Sequence, residues 1–263
     1  MSYGNYPDLR NVKKILVIKL RHHGDVLLTS PVFAFLKSQL PEASIDGLIY
    51  QETAPMLDGH PAIRRLRFYD KAWKKLSFFK RWKEELGLLK TIRKEKYDLV
   101  INLTEGDRGA IVSWVSKAPI RVGLDPEKKG FLGKSSVFTH LVKNCKTPRH
   151  TVEKNLDALR RIGLFPTPEE RELYFHIPDD IKDRISKLLP QKFFVIHPVS
   201  RWKFKCWQLG HVAELIQILH KEGNSVVLTA SPDPDEMKMI AEIIALCPGI
   251  PLTSLAGQID LKE

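Results

Sequence analysis

The sequence predicts an α/β protein of two successive domains, each a mainly parallel sheet with helices on both faces. From residue 15 onwards short apolar runs alternate with longer amphipathic stretches, the order that parallel sheets require. Around 163–178 that alternation breaks, where Gly163, Pro166, Pro168 and Pro178 interrupt it and charged residues fill the gaps. It begins again at residue 193. Together these observations predict two Rossmann-like domains, at 1–165 and 166–263.

The elements follow in order. Residues 15–18, Ile-Leu-Val-Ile, form an apolar strand, and 30–39 the helix after it. Strands two and three fall at 44–49 and 66–69. The stretch 74–94 reads as a long helix interrupted near Gly87, since glycine disfavours a helix interior. Residues 98–103 are another apolar strand, ending in the polar turn Thr104-Glu105-Gly106-Asp107, with a helix at 109–116 and a short strand at 120–122. In the second domain 193–196 is a buried strand, and 208–221 a helix stopped by Gly223-Asn224. A strand at 225–229 and a helix at 234–246 follow. Two clear βα units leave this second domain few strands against which to bury its helices.

Composition bounds the class. A hydrophobic share of 43% is that of an ordinary globular protein, and no apolar run approaches the roughly 20 residues that span a bilayer. Residues 1–14 hold no apolar block followed by small residues, so no signal peptide is read there. Cys145, Cys206 and Cys247 have neither metal-ligand spacing nor a disulfide framework, which fits a reduced, cytoplasmic protein. The net charge of +11 is uneven. Through Phe165 there are 31 Lys/Arg against 17 Asp/Glu; beyond it, 11 against 14. A basic first domain draws polyanions, whether phosphorylated glycolipid, anionic membrane or nucleic acid. Within it, 71–96 combines Trp73, Phe78, Phe79 and Trp82 with ten Lys/Arg and three Glu, a composition suited to an anionic membrane surface or to a solvated face over a core.

Four strand ends carry candidate chemistry. The first strand empties into Lys19-Leu20-Arg21-His22-His23-Gly24-Asp25-Val26-Leu27-Leu28-Thr29-Ser30-Pro31. In an open α/β sheet such a turn lies at the carboxyl end of the strand, where ligands bind. Asp25 either faces that crevice or caps the following helix. A second run is Val195-Ile196-His197-Pro198-Val199-Ser200-Arg201-Trp202-Lys203-Phe204-Lys205-Cys206-Trp207, in which a strand again enters a basic loop before a helix. Backbone N–H groups there, with a hydroxyl and a lysine, suit a diphosphate. Further on, Glu236 follows the strand 225–229 at a position from which it can reach a ribose hydroxyl, although acidic residues are common at helix starts. Asn102, Thr104, Glu105 and Asp107 end a first-domain strand in the same manner. No Gly-x-Gly-x-x-Gly and no P-loop occurs, and no cluster has the spacing of metal ligands.

The order Lys-x-Arg-x-x-Gly-Asp-Val-Leu-x-x-x-Pro, together with Val-Ser-Arg-Trp-x-x-Lys-x-Trp, resembles the lipopolysaccharide core heptosyltransferases, and within that family the branch acting third in the inner core. The resemblance spans residues 14–263. It implies the GT-B fold, an N-terminal acceptor domain and a C-terminal donor domain. It implies ADP-heptose as donor, a phosphorylated core heptose as acceptor, inversion at the anomeric carbon, and neither cofactor nor metal. By it Ser200, Arg201 and Lys205 meet the donor phosphates, with Lys203 a rival for the lysine role, and Glu236 meets the ribose. Lys19, Arg21, His22 and Gly24 meet the acceptor, and Asp25 is the general base. The family's later Asp-Ser/Thr-Gly-like segment and nearby His are not found before Glu263, so the second domain reads as truncated at its C-terminus. The competing expectations are a transferase of the same fold using another nucleotide sugar, and a non-catalytic basic α/β module binding nucleic acid. The latter lacks any helix-turn-helix or aromatic sheet signature.

Overall fold

The computed structural model describes residues 6–127, 130–143 and 147–263, so Cys145 and the first five residues lie outside what is described. The chain divides into two compact units, Met1–His176 and Ile177–Glu263.

The first unit runs β1 (Lys14–Lys19), α1 (His23–Leu27), α2 (Ser30–Gln39), β2 (Ser44–Tyr50), β3 (Arg65–Tyr69), α3 (Phe78–Glu95), β4 (Leu99–Asn102), α4 (Asp107–Ser116), β5 (Ile120–Leu124), β6 (His140–Val142) and α5 (Thr151–Arg160). All its strands pair in parallel, in the order β3-β2-β1-β4-β5-β6. The chain therefore moves outward from β1 to β3 and crosses back to β4. That reversal opens a crevice between the carboxyl ends of β1 and β4, the switch point of a doubly wound sheet.

Alternation along β1 explains the two-faced core. Ile15 and Val17 pack into a layer with Phe33, Leu36, Leu156 and Leu159 from α2 and α5. Leu16 and Ile18 face the opposite layer, with Ile92 of α3 and Val112 of α4. A strand buried on both faces reads as a continuous apolar run, which is why 15–18 was legible.

Deeper in the sheet, Asp46 of β2 is fully buried and receives a fork of hydrogen bonds. Arg64 donates at 2.9 and 2.8 Å, Arg67 at 3.1 Å and the Tyr97 hydroxyl at 2.6 Å. Glu95 closes the network on both arginines. This cluster ties β2, β3 and the end of α3 together.

The second unit contains α6 (Asp179–Ser186), β7 (Phe193–Ile196), α7 (Leu209–Lys221), β8 (Ser225–Leu228), α8 (Pro234–Ala245) and β9 (Leu252–Ser254). Its three strands are parallel, in the order β7-β8-β9.

Two expectations are corrected. The long helix does not begin at residue 74 or break at Gly87. A short 3-10 turn covers Lys71–Lys75, and α3 then runs unbroken for 18 residues. Gly87 is exposed, so the penalty of a helical glycine, about 1 kcal/mol, is borne without a kink. The strand at 193–196 is not buried either. It lies at the sheet edge beside β8 alone, and Phe194 and Val195 are exposed. The short strands β6 and β9 and the helices α5 and α6 were also left unread, although Val152, Leu156 and Leu159 of α5 stand at helical spacing.

Candidate active site

Three of the cavities at the carboxyl ends of the strands gather candidate residues, two in the first unit and one in the second. In the first unit a space of 160 Å³ is lined by Lys19, Arg21, Asp25, Leu103, Glu105, Thr151, Lys154 and Asn155, among others. Lys19 closes β1 with its side chain buried, donating to the Leu103 carbonyl and to Asn155 Oδ1, both at 3.1 Å. Burial pulls its ammonium below the usual lysine range, reinforced by Arg21 and opposed by the charges of Asp25 and Glu105. Asp25 thus lies within electrostatic reach of a buried cation. It stands in the first turn of α1, whose cap position belongs to His22, so it does not serve as the N-cap. Among the described residues its half-buried carboxylate takes part in no hydrogen bond or ion pair. The carboxylate is open to whatever enters the cavity.

On the opposite face of the same sheet edge lies a larger space of 560 Å³, enclosed by the ends of β1, β2 and β3 and by α3 and α4. Its polar wall is Arg21, Tyr50, Tyr69, Arg81, Glu85, Asp107 and Arg108. Tyr69 donates its hydroxyl to Glu85, and Arg81 Nε reaches the same carboxylate oxygen at 3.1 Å. Burial, then the Glu85 hydrogen bond, pushes the Tyr69 phenol up, so it remains a donor at neutral pH. The Arg108 guanidinium lies 4.9 Å from the centre of the Tyr69 ring, a cation–π contact, and interacts with the Tyr50 and Tyr69 hydroxyls at the cavity wall. Arg21 lines both spaces and pairs loosely with Glu105 at 3.8 Å.

The second unit offers 310 Å³ at the ends of β7 and β8, lined by Ser200, Arg201, Lys203, Ser231, Asp233, Asp235, Glu236 and Met239. Asp233 caps α8 by accepting from Asp235 N at 2.9 Å, which points the helix start into the space. Glu236 is buried, and its Oε2 accepts from Ser231 N at 3.0 Å and Ser231 Oγ at 2.6 Å. One carboxylate oxygen is fixed and the other left for a ligand.

The structure therefore brings Lys19, Arg21 and Asp25 to one cavity and Ser200, Arg201 and Glu236 to another. His22 and Gly24 are exposed and line none of the three. Lys203 lines the second-unit cavity, 3.7 Å from Asp235, whereas Lys205 does not and stands with its ammonium 6.0 Å from the Phe204 ring. Asn102 is buried, and its amide is used on the backbone of Thr104 in both directions, at 3.1 Å. It fixes the turn, and Gly109 of α4 packs so closely on it that a Cβ would clash. Tyr50, Tyr69, Arg81 and Arg108 were missed in the sequence. The available signal was that Tyr50 and Tyr69 end their strands, and every strand end of a parallel sheet borders one crevice.

Two units, each a parallel α/β sheet with a polar cavity at its strand ends, fit the GT-B architecture. The solved structures of similar fold agree. A glycosyltransferase family 9 protein from Veillonella parvula superposes with a TM-score of 0.82 at 20% identity, covering 98% of this chain and 73% of that one. The Escherichia coli heptosyltransferase WaaC with ADP-2-deoxy-2-fluoro heptose gives 0.70 at 19%, covering 92% and 75%. The chain belongs to glycosyltransferase family 9, the heptosyltransferase family, whose model matches residues 86–263. It is 35% identical over 251 residues to lipopolysaccharide heptosyltransferase 3 of Escherichia coli, covering 93% of this chain and 72% of that protein. To the lipopolysaccharide core heptosyltransferase OpsX of Haemophilus influenzae it is 25% identical over 252 residues, covering 95% and 69%.

Proposed function

We propose that this enzyme transfers L-glycero-D-manno-heptose from ADP-heptose to a heptose of the lipopolysaccharide inner core, with inversion at the anomeric carbon. The observation that carries the chemistry is Asp25, a carboxylate without a protein partner among the described residues, beside a buried lysine at the switch point of the larger sheet. The substrate follows from the 35% identity to a lipopolysaccharide heptosyltransferase across nearly the whole chain.

An acceptor hydroxyl has a pKa far above 7 and must lose its proton as it attacks. Asp25 accepts that proton while the sugar oxygen forms its bond to the anomeric carbon, and ADP departs from the opposite face. The departing diphosphate gathers negative charge, which Arg201 and a loop lysine stabilise together with the Ser200 hydroxyl. Glu236 takes the ribose diol through its free oxygen. The 560 Å³ space receives the phosphorylated part of the acceptor, with Arg21, Arg81 and Arg108 as phosphate donors. The setting is the cytoplasm, at the inner-membrane face.

Which lysine meets the diphosphate is separable. Lys203 shares its cavity with Asp235, whereas Lys205 has no carboxylate partner among the described residues. We give the role to Lys205 because the Lys205-x-Trp207 order resembles the family's, which predicts that Lys205→Ala weakens ADP binding at least tenfold by calorimetry while Lys203→Ala changes it little. The reverse result transfers the role to Lys203. On the acceptor side, Arg108→Ala is expected to raise KM for a phosphorylated acceptor about tenfold and leave donor affinity alone, since a charge-assisted hydrogen bond contributes about 1.5–3 kcal/mol. Equal effects on phosphorylated and dephosphorylated acceptors would remove Arg108 from phosphate recognition. The proposal as a whole is tested by mass spectrometry of a core acceptor incubated with ADP-heptose. A heptose added only from that donor supports it; transfer from UDP-glucose instead, or stabilisation by RNA alone in a thermal-shift panel, overturns it.

A further inference from the structure

The amphipathic stripe of α3 runs past the domain that it covers. Ile92, Leu89, Leu88 and Glu85 lie inward, at the core or the 560 Å³ cavity. One and two turns earlier, at the same i, i+3, i+4 spacing, come Trp82 and Phe78. Yet Phe78, Phe79 and Trp82 are 73%, 83% and 58% exposed. Only Ile92 of this 18-residue helix is fully buried. Three large aromatic side chains in five residues thus face solvent, with half-exposed Leu76 beside them. Exposed aromatic clusters of this kind mark interaction surfaces.

Charge identifies the occupant. From Lys71 to Lys83 there are six Lys/Arg and no acidic residue. Lys71 pairs with Glu52, and Arg81 with Glu85. Lys74, Lys75, Lys80 and Lys83 have no carboxylate partner among the described residues. Aromatic rings surrounded by unpaired lysines complement an anionic bilayer, whose headgroups take the ammonium groups while the rings enter the interface. A protein partner would need a matching acidic rim around an apolar pocket; an anionic lipid surface supplies both at once.

We infer that Phe78, Phe79 and Trp82, with Lys74, Lys75, Lys80 and Lys83, form a docking element for an anionic lipid surface. The same helix carries Arg81 and Glu85 to the wall of the 560 Å³ cavity, so docking brings that cavity near the bilayer. The docking itself does not depend on the chemistry proposed above. No helix among the described residues is long and apolar enough to cross a membrane, so the contact is peripheral.

Flotation of the full chain with vesicles tests this directly. Binding is expected to phosphatidylcholine vesicles containing an equal part of phosphatidylglycerol, to be much weaker with phosphatidylcholine alone, and to fall as salt rises. The triple variant Phe78→Ser, Phe79→Ser, Trp82→Ser is expected to lose at least about tenfold in partition coefficient, with an unchanged melting curve, because all three rings are solvent-exposed. Lys80→Glu with Lys83→Glu should lose about fivefold or more per lysine. Turnover on a lipid-free acceptor should survive the triple variant, while turnover on a vesicle-embedded acceptor should fall. If the parent chain fails to float with the mixed vesicles, or the triple variant floats equally well, the inference is overturned. A lipid-independent dimer that the triple variant dissolves would overturn it too, giving the patch to a second copy.

Discussion

Asp25→Ala is expected to lower turnover by 10²–10⁴-fold while ADP binding stays at the level of the parent chain. The size follows from what a positioned base supplies in the transition state, equivalent to about 3–5 kcal/mol of barrier. The separation follows from geometry. Asp25 lines the 160 Å³ cavity of the first unit, and Ser200, Arg201 and Glu236 line a different cavity in the second. Removing the carboxylate takes nothing from the diphosphate. Folding should be spared, because Asp25 neither caps α1 nor bonds to any described residue. Asp25→Asn keeps the volume and hydrogen-bonding shape but cannot take a proton, so it should fall nearly as far as alanine. If asparagine retained near-normal turnover, the side chain would be positioning substrate rather than accepting its proton. Steady-state kinetics with calorimetry on both variants decides the matter.

How much of this was legible in the sequence depends on the element. The strand at 15–18 announced itself because it is buried on both faces, and the glycine–carboxylate turn after it lies where the topology opens a crevice. The strand at 193–196 looked equally buried from composition, yet it is a sheet edge with Phe194 and Val195 exposed. Periodicity cannot tell a buried strand from an apolar edge. The 560 Å³ cavity was invisible for a different reason. Tyr50, Tyr69, Arg81 and Arg108 are scattered over nearly sixty positions, and only the strand order β3-β2-β1-β4 gathers them. Asn102 misled in the other direction. A polar residue at a strand end looks like a ligand contact until its amide is found to be used on the backbone of its own turn.

Asp46→Ala is expected to destabilise the first unit by about 3–5 kcal/mol, a large share of the roughly 5–15 kcal/mol that holds a protein together. Asp46 is wholly buried, and its carboxylate is the common acceptor for Arg64, Arg67 and Tyr97. Its removal takes one carboxylate from the buried Arg67, which keeps Glu95 and the Tyr97 oxygen, and leaves the Tyr97 hydroxyl proton without its acceptor; burial makes both losses severe. Burial by itself would raise the Asp46 pKa, but hydrogen bonds from Arg64 and Tyr97 and the charges of both arginines outweigh it and hold the carboxyl below its usual range. A depressed carboxylate contributes its stability above the unfolded value near 4 and loses it as pH falls through the folded one. The parent chain should therefore melt at a constant temperature through neutral pH and lose stability below about pH 4. Asp46→Asn should start lower and show a shallower acid limb, because the group that titrates is gone. Calorimetric scans across pH distinguish the two, and an alanine variant melting with the parent would show that the cluster is dispensable. Function should fail with stability here. The network anchors β2, β3 and α3, and those three elements hold Tyr50, Tyr69, Arg81 and Glu85 around the 560 Å³ cavity proposed for the acceptor. The expected signature is a raised KM for acceptor with unchanged ADP affinity in the second unit, measured below the variant's melting temperature.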